Sequence, residues 1–196
     1  MKLTTALLSL LSATTATATA TATALTPRQD PQPQPSLQPF TLNTFTIHVP
    51  SARAGTYAFS TLTTNITDPN SHVLNPSHTL PPSTAQNCRA TFLTLSSPTE
   101  GPWGRTWPCD DDGRKEGYWS MRVEQIEGGY RMVWRRTAAI WDKAALKGYT
   151  RVFEGSRELR VGEDIKVGCA NGDGTCSYWL GAPVEVEVKE IEGESA

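Results

Sequence analysis

The chain has 196 residues and a mass of 21.4 kDa, which is the size of one domain. Its 18 Lys and Arg residues nearly balance 20 Asp and Glu residues, and the formal net charge of -2 excludes a globally basic nucleic-acid-binding protein. The 15 Gly and 14 Pro residues argue against a protein built from long helices.

The N-terminus has the pattern of a secretory signal peptide. Met1 and Lys2 precede a short leucine-rich stretch, and a run of Ala and Thr then ends at Ala24. The apolar stretch is much shorter than the ~20 residues that a membrane-spanning helix needs. We therefore predict that residues 1–24 are removed on secretion and that the mature protein is extracellular, with no membrane attachment.

The rest of the chain divides into a linker and one domain. Residues 25–39 are rich in Pro and Gln, a composition that cannot form a packed core and indicates an extended linker. Residues 40–196 are predicted to form a single antiparallel β domain, whose folded part runs from about Phe40 to Ile191.

Apolar residues recur at every second position in this domain, as they do in half-buried strands. The pattern covers residues 45–49, a Thr-rich segment over residues 57–63, and the clearest hairpin, which joins residues 119–123 to residues 130–134. Gly128 and Gly129 lie at its turn, where glycine supplies positive φ angles.

Three later segments complete the prediction. Residues 159–161 and 165–167 flank Gly162 as a second candidate hairpin, and Val184, Val186 and Val188 indicate a final strand. Residues 138–147 are the one helical candidate. One-sided strands are typical of antiparallel sheets, so we expect an all-β fold: a compact antiparallel barrel or sandwich with little helix.

Four cysteines in a secreted chain indicate two disulfides, for which three pairings exist. Cys169 and Cys176 enclose only turn residues (ANGDGT), so they can face each other across a short loop. We therefore predict the local pairing, Cys169 with Cys176 and Cys88 with Cys109. Zinc is disfavoured because the chain lacks closely spaced cysteine pairs, and we predict no metal site, no cofactor and no catalytic residue.

Two further features concern the surface. Asn65-Ile66-Thr67 is a glycosylation sequon, which predicts an exposed Asn65 in a glycoprotein. The loop GPWGRTWPC carries Trp103, Arg105 and Trp107 next to Cys109 and is the candidate binding loop, with both tryptophans partly exposed. By strand periodicity, Trp119 and Trp134 belong in the core, whereas Arg131 and Arg135 lie on the opposite, solvated face.

The chain combines a signal peptide, a Pro-rich spacer, Cys88, the Trp107-x-Cys109 element, the Cys169 and Cys176 pair and a closing PVEVEV segment. Together, these features resemble the Alternaria major allergen-like family of small secreted fungal proteins. The resemblance covers about residues 40–191. It implies a compact β-barrel with two local disulfides and a secreted allergen or effector that is not an enzyme. Some members carry small phenolic ligands. The allergen dimerises through an additional cysteine, which this chain lacks, so we expect a monomer or a non-covalent dimer.

We therefore expect a secreted, non-enzymatic fungal protein that binds a host protein or a small apolar or phenolic ligand, and neither nucleic acid nor membrane. Two other classes stay open. One is a small secreted hydrolase or carbohydrate-binding protein that acts on cell-wall polymers. The other is a structural wall or adhesion protein.

Secretion has a direct test. Mass spectrometry of culture supernatant should find a mature N-terminus between about Ala18 and Gln29, because the small residues in the Ala/Thr run suit signal peptidase and Arg28 offers a second processing position. An intact Met1 on the folded protein would contradict both the signal peptide and the extracellular location.

Overall fold

The computed structural model describes residues 36–51, 53, 55, 58–93, 101–110, 117–144, 146–170, 172 and 174–191. The predicted signal peptide and most of the predicted linker lie outside these residues. Among the residues described, no helix is long and apolar enough to cross a membrane.

The described residues form thirteen β-strands. In chain order they are β1 (Phe40–Val49), β2 (Phe59–Asp68), β3 (His72–Asn75), β4 (His78–Leu80), β5 (Ser83–Leu93), β6 (Thr106–Pro108), β7 (Tyr118–Ile126), β8 (Gly129–Asp142), β9 (Lys147–Arg160), β10 (Ile165–Cys169), β11 (Cys176–Leu180), β12 (Val184–Val186) and β13 (Val188–Ile191).

The strands build two main sheets and one small hairpin. The first sheet has the order β10-β11-β1-β2-β5, with β12 paired to β1, and the second has the order β13-β9-β8-β7-β6. Strands β3 and β4 pair only with each other. Every pairing between these strands is antiparallel. The prediction of an all-β antiparallel fold is confirmed. The described strands are sandwich-like and do not form the closed barrel that the resemblance implies.

The core lies between the two sheets because alternate side chains of β1, β2, β5, β7, β8 and β9 point inward, with one irregularity in each of β1 and β5. Phe40 on β1 meets Trp119 on β7 edge to face, with ring centroids 5.3 Å apart. Trp134 on β8 donates from Nε1 to Thr64 Oγ1 on β2 over 3.1 Å. In these contacts, apolar side chains of one sheet pack against apolar side chains of the other, and an inward polar group of one sheet forms a hydrogen bond with a polar group of the other. The inward positions predicted for Trp119 and Trp134 are confirmed.

The two sheets are tied at both edges. At one edge, the Cys88–Cys109 disulfide joins β5 to the residue after β6, and Gln86 forms a backbone bridge with Asp110. At the other edge, β12 pairs with β1 and β13, one residue further on, pairs with β9. The second disulfide, Cys169–Cys176, closes the β10–β11 hairpin. Both predicted local disulfides are confirmed.

The helix predicted over residues 138–147 is wrong. Ala138–Asp142 is the end of β8, Lys147 begins β9, and the chain turns between them. Alanine and lysine favour a helix when no partner is considered. Here the hydrogen bonds between β8 and β9 continue without interruption to the end of both strands, and this tertiary pairing overrides the local preference.

Two later predictions also need correction. The segments around Gly162 do not form a hairpin, because the turn carries the chain out of the second sheet and β10 pairs with β11 in the first. The final strand is two strands rather than one, because the chain changes sheets at Glu187.

The turn between β7 and β8 separates the roles of its two glycines. Gly128 has a φ of 73°, the left-handed conformation that the turn requires. Gly129 is already part of β8 and is needed for space, because a Cβ there would lie 2.0 Å from the Leu159 carbonyl oxygen.

Removing each disulfide in turn should show how much each one contributes to the free energy of unfolding. By loop entropy, replacing Cys88 and Cys109 with Ser should cost about 3.4 kcal/mol, against about 2.5 kcal/mol for Cys169 and Cys176. The first pair also loses the packing of the fully buried Cys88. Urea unfolding of the two double variants measures both losses, and each kcal/mol corresponds to about 2–4 °C in melting temperature. An equal or reversed ranking would contradict the role assigned to the edge disulfide.

Candidate functional site

The candidate binding loop runs along one end of the sandwich and is fixed to the second sheet. Gly104 N–H donates to the Val123 carbonyl over 2.8 Å, and Trp103 forms a parallel bridge with the same residue. Strand β6 then pairs with β7, which places Trp107 opposite Met121. The loop therefore continues the sheet and is not a free excursion from it.

Trp103 links the two sheets through its ring. Its indole stacks on Tyr130 of β8, with centroids 5.8 Å apart and an angle of 22° between the planes. It also lies 6.0 Å from Phe92 of β5. Tyr130 in turn lies 5.8 Å from Phe45 of β1. We call Phe45, Phe92, Trp103 and Tyr130 the aromatic end of the sandwich.

The three predicted loop residues have different surroundings. Trp103 and Trp107 are both half-buried and pack against the core. Trp107 Nε1 donates to the Pro102 carbonyl over 3.3 Å, which orients its indole within the loop. Arg105 is exposed. The two tryptophans thus retain an accessible part, and only the arginine extends fully into solvent.

The protein environment changes the acidity of Tyr130. Burial, with a smaller contribution from the nearby Tyr178, raises the pKa of the Tyr130 hydroxyl above its ordinary value. The hydroxyl is a neutral hydrogen-bond donor and acceptor, as a tyrosine hydroxyl is at neutral pH.

A buried polar cluster, which the sequence analysis missed, lies at the other end of the core. Asp68 Oδ2 accepts hydrogen bonds from His72 Nε2 and Arg136 Nη1, each over 2.6 Å. Its Oδ1 accepts from the backbone N–H and the side-chain amide of Asn70 over 2.8 and 2.7 Å. Arg136 Nη2 donates to the Pro81 carbonyl. Asp68, His72 and Arg136 are all buried.

The cluster holds Asp68 ionised. Burial by itself raises the pKa of this carboxyl, but the hydrogen bonds from His72 and Arg136, the charge of Arg136 and the Asn70 backbone outweigh it, so the pKa lies below its ordinary value. Both oxygens are occupied, and the imidazole stacks on Phe153 with centroids 3.7 Å apart. The carboxylate therefore positions structural elements and has no open side on which to bind a substrate.

Strand periodicity contained a signal for this cluster. Arg136 lies two residues after the inward Trp134, and Asp68 lies two residues after the inward Ile66, so both share the buried face. The charge of these two residues alone predicts that they lie at the surface, whereas strand periodicity correctly predicts that they lie inside. Arg131 and Arg135 have the opposite parity. As expected, they lie on the solvated face, where they pair with Glu158 and Glu154.

Asn65 lies on the outward side of β2 and is half-buried rather than open. Its side-chain oxygen accepts the Asn87 N–H over 2.8 Å, and the sequon's Thr67 hydroxyl contacts Asn43 and Thr84. Glycosylation of Asn65 stays a prediction.

Within the described part of the chain, no group of three or more His, Cys, Asp or Glu side chains is arranged to hold a metal ion. No family model, curated protein or solved structure matches the chain.

The buried cluster has a pH signature. Because the Asp68 pKa is lowered on folding, its contribution to stability is present above the unfolded pKa of about 3.9 and is lost as the pH falls below that value. Asp68→Asn should cost about 3 kcal/mol at neutral pH, because it leaves Arg136 buried without its counter-charge. It should also reduce the loss of stability between pH 5 and pH 2.

Urea unfolding at several pH values measures both effects. Glu124→Gln is the control, because this surface carboxylate pairs only with exposed arginines and should cost less than about 1 kcal/mol. A variant at Asp68 with unchanged stability and an unchanged acid transition would contradict the interpretation.

Proposed function

We propose that this chain is a secreted fungal recognition protein without catalytic activity, similar in role to the allergens and effectors that its sequence resembles. Its ligand is a small apolar or phenolic molecule, bound at the aromatic end. The observation that carries the proposal is the run of rings from Trp103 through Tyr130 to Phe45, which starts at a partly exposed indole and ends at a fully buried ring.

The chemistry of the aromatic end suits a phenolic ring. An incoming ring gains apolar burial and also stacking, and aromatic pairs contribute about 0.5–1.5 kcal/mol beyond the buried area. Tyr130 itself carries a hydroxyl, and the exposed Arg105 lies two residues after Trp103 in the loop. A few directional groups on an aromatic surface are typical of small-molecule sites.

The loop that presents Trp103 is anchored by interactions within the protein. It is held by the Gly104–Val123 hydrogen bond, by the Trp107–Pro102 hydrogen bond and by the disulfide at Cys109. A surface that is fixed in advance loses little conformational entropy on binding. This rigidity favours recognition by pre-formed stacking.

The buried cluster does not supply an accessible catalytic base. It contains a carboxylate hydrogen-bonded to an imidazole, as general-base sites often do, but both carboxylate oxygens already have partners and the groups are buried. The two disulfides are compatible with an extracellular protein, since they persist in oxidising compartments.

A host protein is the second candidate partner. Arg105 is exposed between two partly accessible tryptophans, and Arg and Trp are the residues that most often dominate binding energy at protein interfaces. A phenolic ligand and a host protein would use the same loop, so the first experiment addresses the small ligand.

Caffeic acid is a suitable phenolic probe, with binding followed by calorimetry and by tryptophan fluorescence. Trp103→Ala should weaken binding by about 30-fold, which corresponds to about 2 kcal/mol. Trp103→Phe should retain most of the affinity because it keeps a ring. Trp141→Ala is the matched control, because this tryptophan is 62% exposed and lies at the far end of β8.

Melting temperatures of all three variants separate lost binding from lost folding. Full affinity in Trp103→Ala, or an equal loss in Trp141→Ala, would contradict binding at the aromatic end. No binding of caffeic acid by the unmodified protein would contradict the small-ligand proposal and favour the host-protein alternative.

A further inference from the structure

A second exposed tryptophan lies on the outward face of the first sheet, away from the aromatic end. Trp179 on β11 is 41% exposed. It pairs with Lys166 of β10 on one side and with Thr46 of β1 on the other. The residues of this face lie outside the loop that carries Trp103, so binding at this face does not require the proposed function.

The indole of Trp179 extends over the sheet and not away from it. A Cβ added to Gly168 of β10 would lie 3.0 Å from Trp179 Cη2 and 3.2 Å from Cζ3. The far edge of the ring therefore covers the neighbouring strand at Gly168, where a side chain would crowd the indole. With 41% of its surface still accessible, the ring presents an aromatic platform to solvent.

The pairing registers place Trp179 in a row that crosses five strands. The row contains, in spatial order, Lys166, Trp179, Thr46, Thr63 and Arg89. Neighbouring strands lie about 4.8 Å apart, so the Cα atoms of the two cationic residues at the ends of the row are about 19 Å apart across the sheet. The next row contains His48 between Ser177 and Thr61, and adds an imidazole and two hydroxyl groups.

The five strands that form the row carry no outward carboxylate, and the exposed Glu185 of the sixth strand, β12, lies beside Thr41, five residues before Thr46 on β1. Strands β1, β2, β5, β10 and β11 contain one acidic residue, Asp68, and it is buried. Within the described residues, neither Lys166 nor Arg89 forms a salt bridge. By contrast, the arginines on the outer face of the second sheet are paired with glutamates.

We infer that the row from Lys166 to Arg89 binds an acidic polysaccharide, a polymer of sugar rings that bear carboxylates. The apolar face of a pyranose ring stacks on Trp179, and the carboxylates pair with Lys166 and Arg89. The threonine hydroxyls of the row form hydrogen bonds with the sugar hydroxyls. The positive face and the extended row fit an anionic chain. Single-stranded nucleic acid also stacks on aromatic residues, and a comparison with oligo-dT separates it from an acidic polysaccharide.

The experiment uses the full mature protein, made without N-glycans so that Asn65 carries no sugar beside the row. Polygalacturonate is the probe, measured by calorimetry and by affinity electrophoresis, with fully methyl-esterified pectin, dextran and oligo-dT as comparison ligands. We expect binding to polygalacturonate that weakens with added salt, weaker binding to the esterified polymer, and little binding to dextran or oligo-dT.

The variants assign this binding to the row. Trp179→Ala should weaken binding to polygalacturonate at least about tenfold, Trp179→Phe should retain part of it, and Lys166→Ala with Arg89→Ala should remove most of the salt dependence. Trp141→Ala and Arg135→Ala on the second sheet are the matched controls and should bind as the unmodified protein does. Melting temperatures exclude unfolding as the cause.

Three results would overturn the inference: equal binding by Trp179→Ala, equal binding of the charged and esterified polymers, or preferred binding of oligo-dT. The caffeic acid titration is carried out on the same Trp179→Ala protein. Its affinity for caffeic acid should be unchanged, so failure at this face and failure at the aromatic end remain distinguishable.

Discussion

Asp68 on β2 and Arg136 on β8 meet inside the sandwich, where neither charge reaches bulk water. Removing two charges from water costs several kcal/mol for each ion, and only close geometry with further hydrogen bonds recovers that cost. Here His72, Asn70 and the Pro81 carbonyl complete the set. A slip of β8 by one residue would turn Arg136 outward and leave the carboxylate unpaired. The pair therefore fixes how the two sheets face each other, and the small β3–β4 hairpin is attached through His72.

The sequence predicted the elements whose evidence is local. Residues 119–134 show a period of two and a glycine turn, and these features alone specify a hairpin with Trp119 and Trp134 on its buried face. The short loop between Cys169 and Cys176 likewise specified its own disulfide. In both cases the partner lies close in sequence, so no knowledge of the tertiary fold was needed.

The errors arise where the local preference of a segment was considered without its partner strand, whether that strand is the next in the chain, as β9 is for β8, or a distant one, as β1 is for β12. Residues 138–142 are a strand because β9 continues beside them. The chain leaves one strand and enters another at Glu187, because the residue before it pairs with Phe40 in the first sheet and the residue after it pairs with Gly155 in the second. The exposure of Trp179 depends on β11 pairing with β1, and no local pattern encodes that contact. Trp103 was identified from its loop, but its stacking on Tyr130 and Phe92 joins strands from both sheets and was not predictable.

The position of β12 and β13 bears on how the chain folds. Strand β1 contains the first paired residues, yet Phe40 pairs with Val186 and Thr46 with Trp179, both near the far end of the domain. Contacts between distant positions are slow to form, because a long loop must close before any pairing compensates its entropy. During synthesis, the second sheet can assemble through the adjacent strands β7, β8 and β9 while β1 has β2 beside it but still lacks β11 and β12. The sandwich can therefore close only after the last strands have left the ribosome, and until then the edge of β1 is open to pairing with other chains.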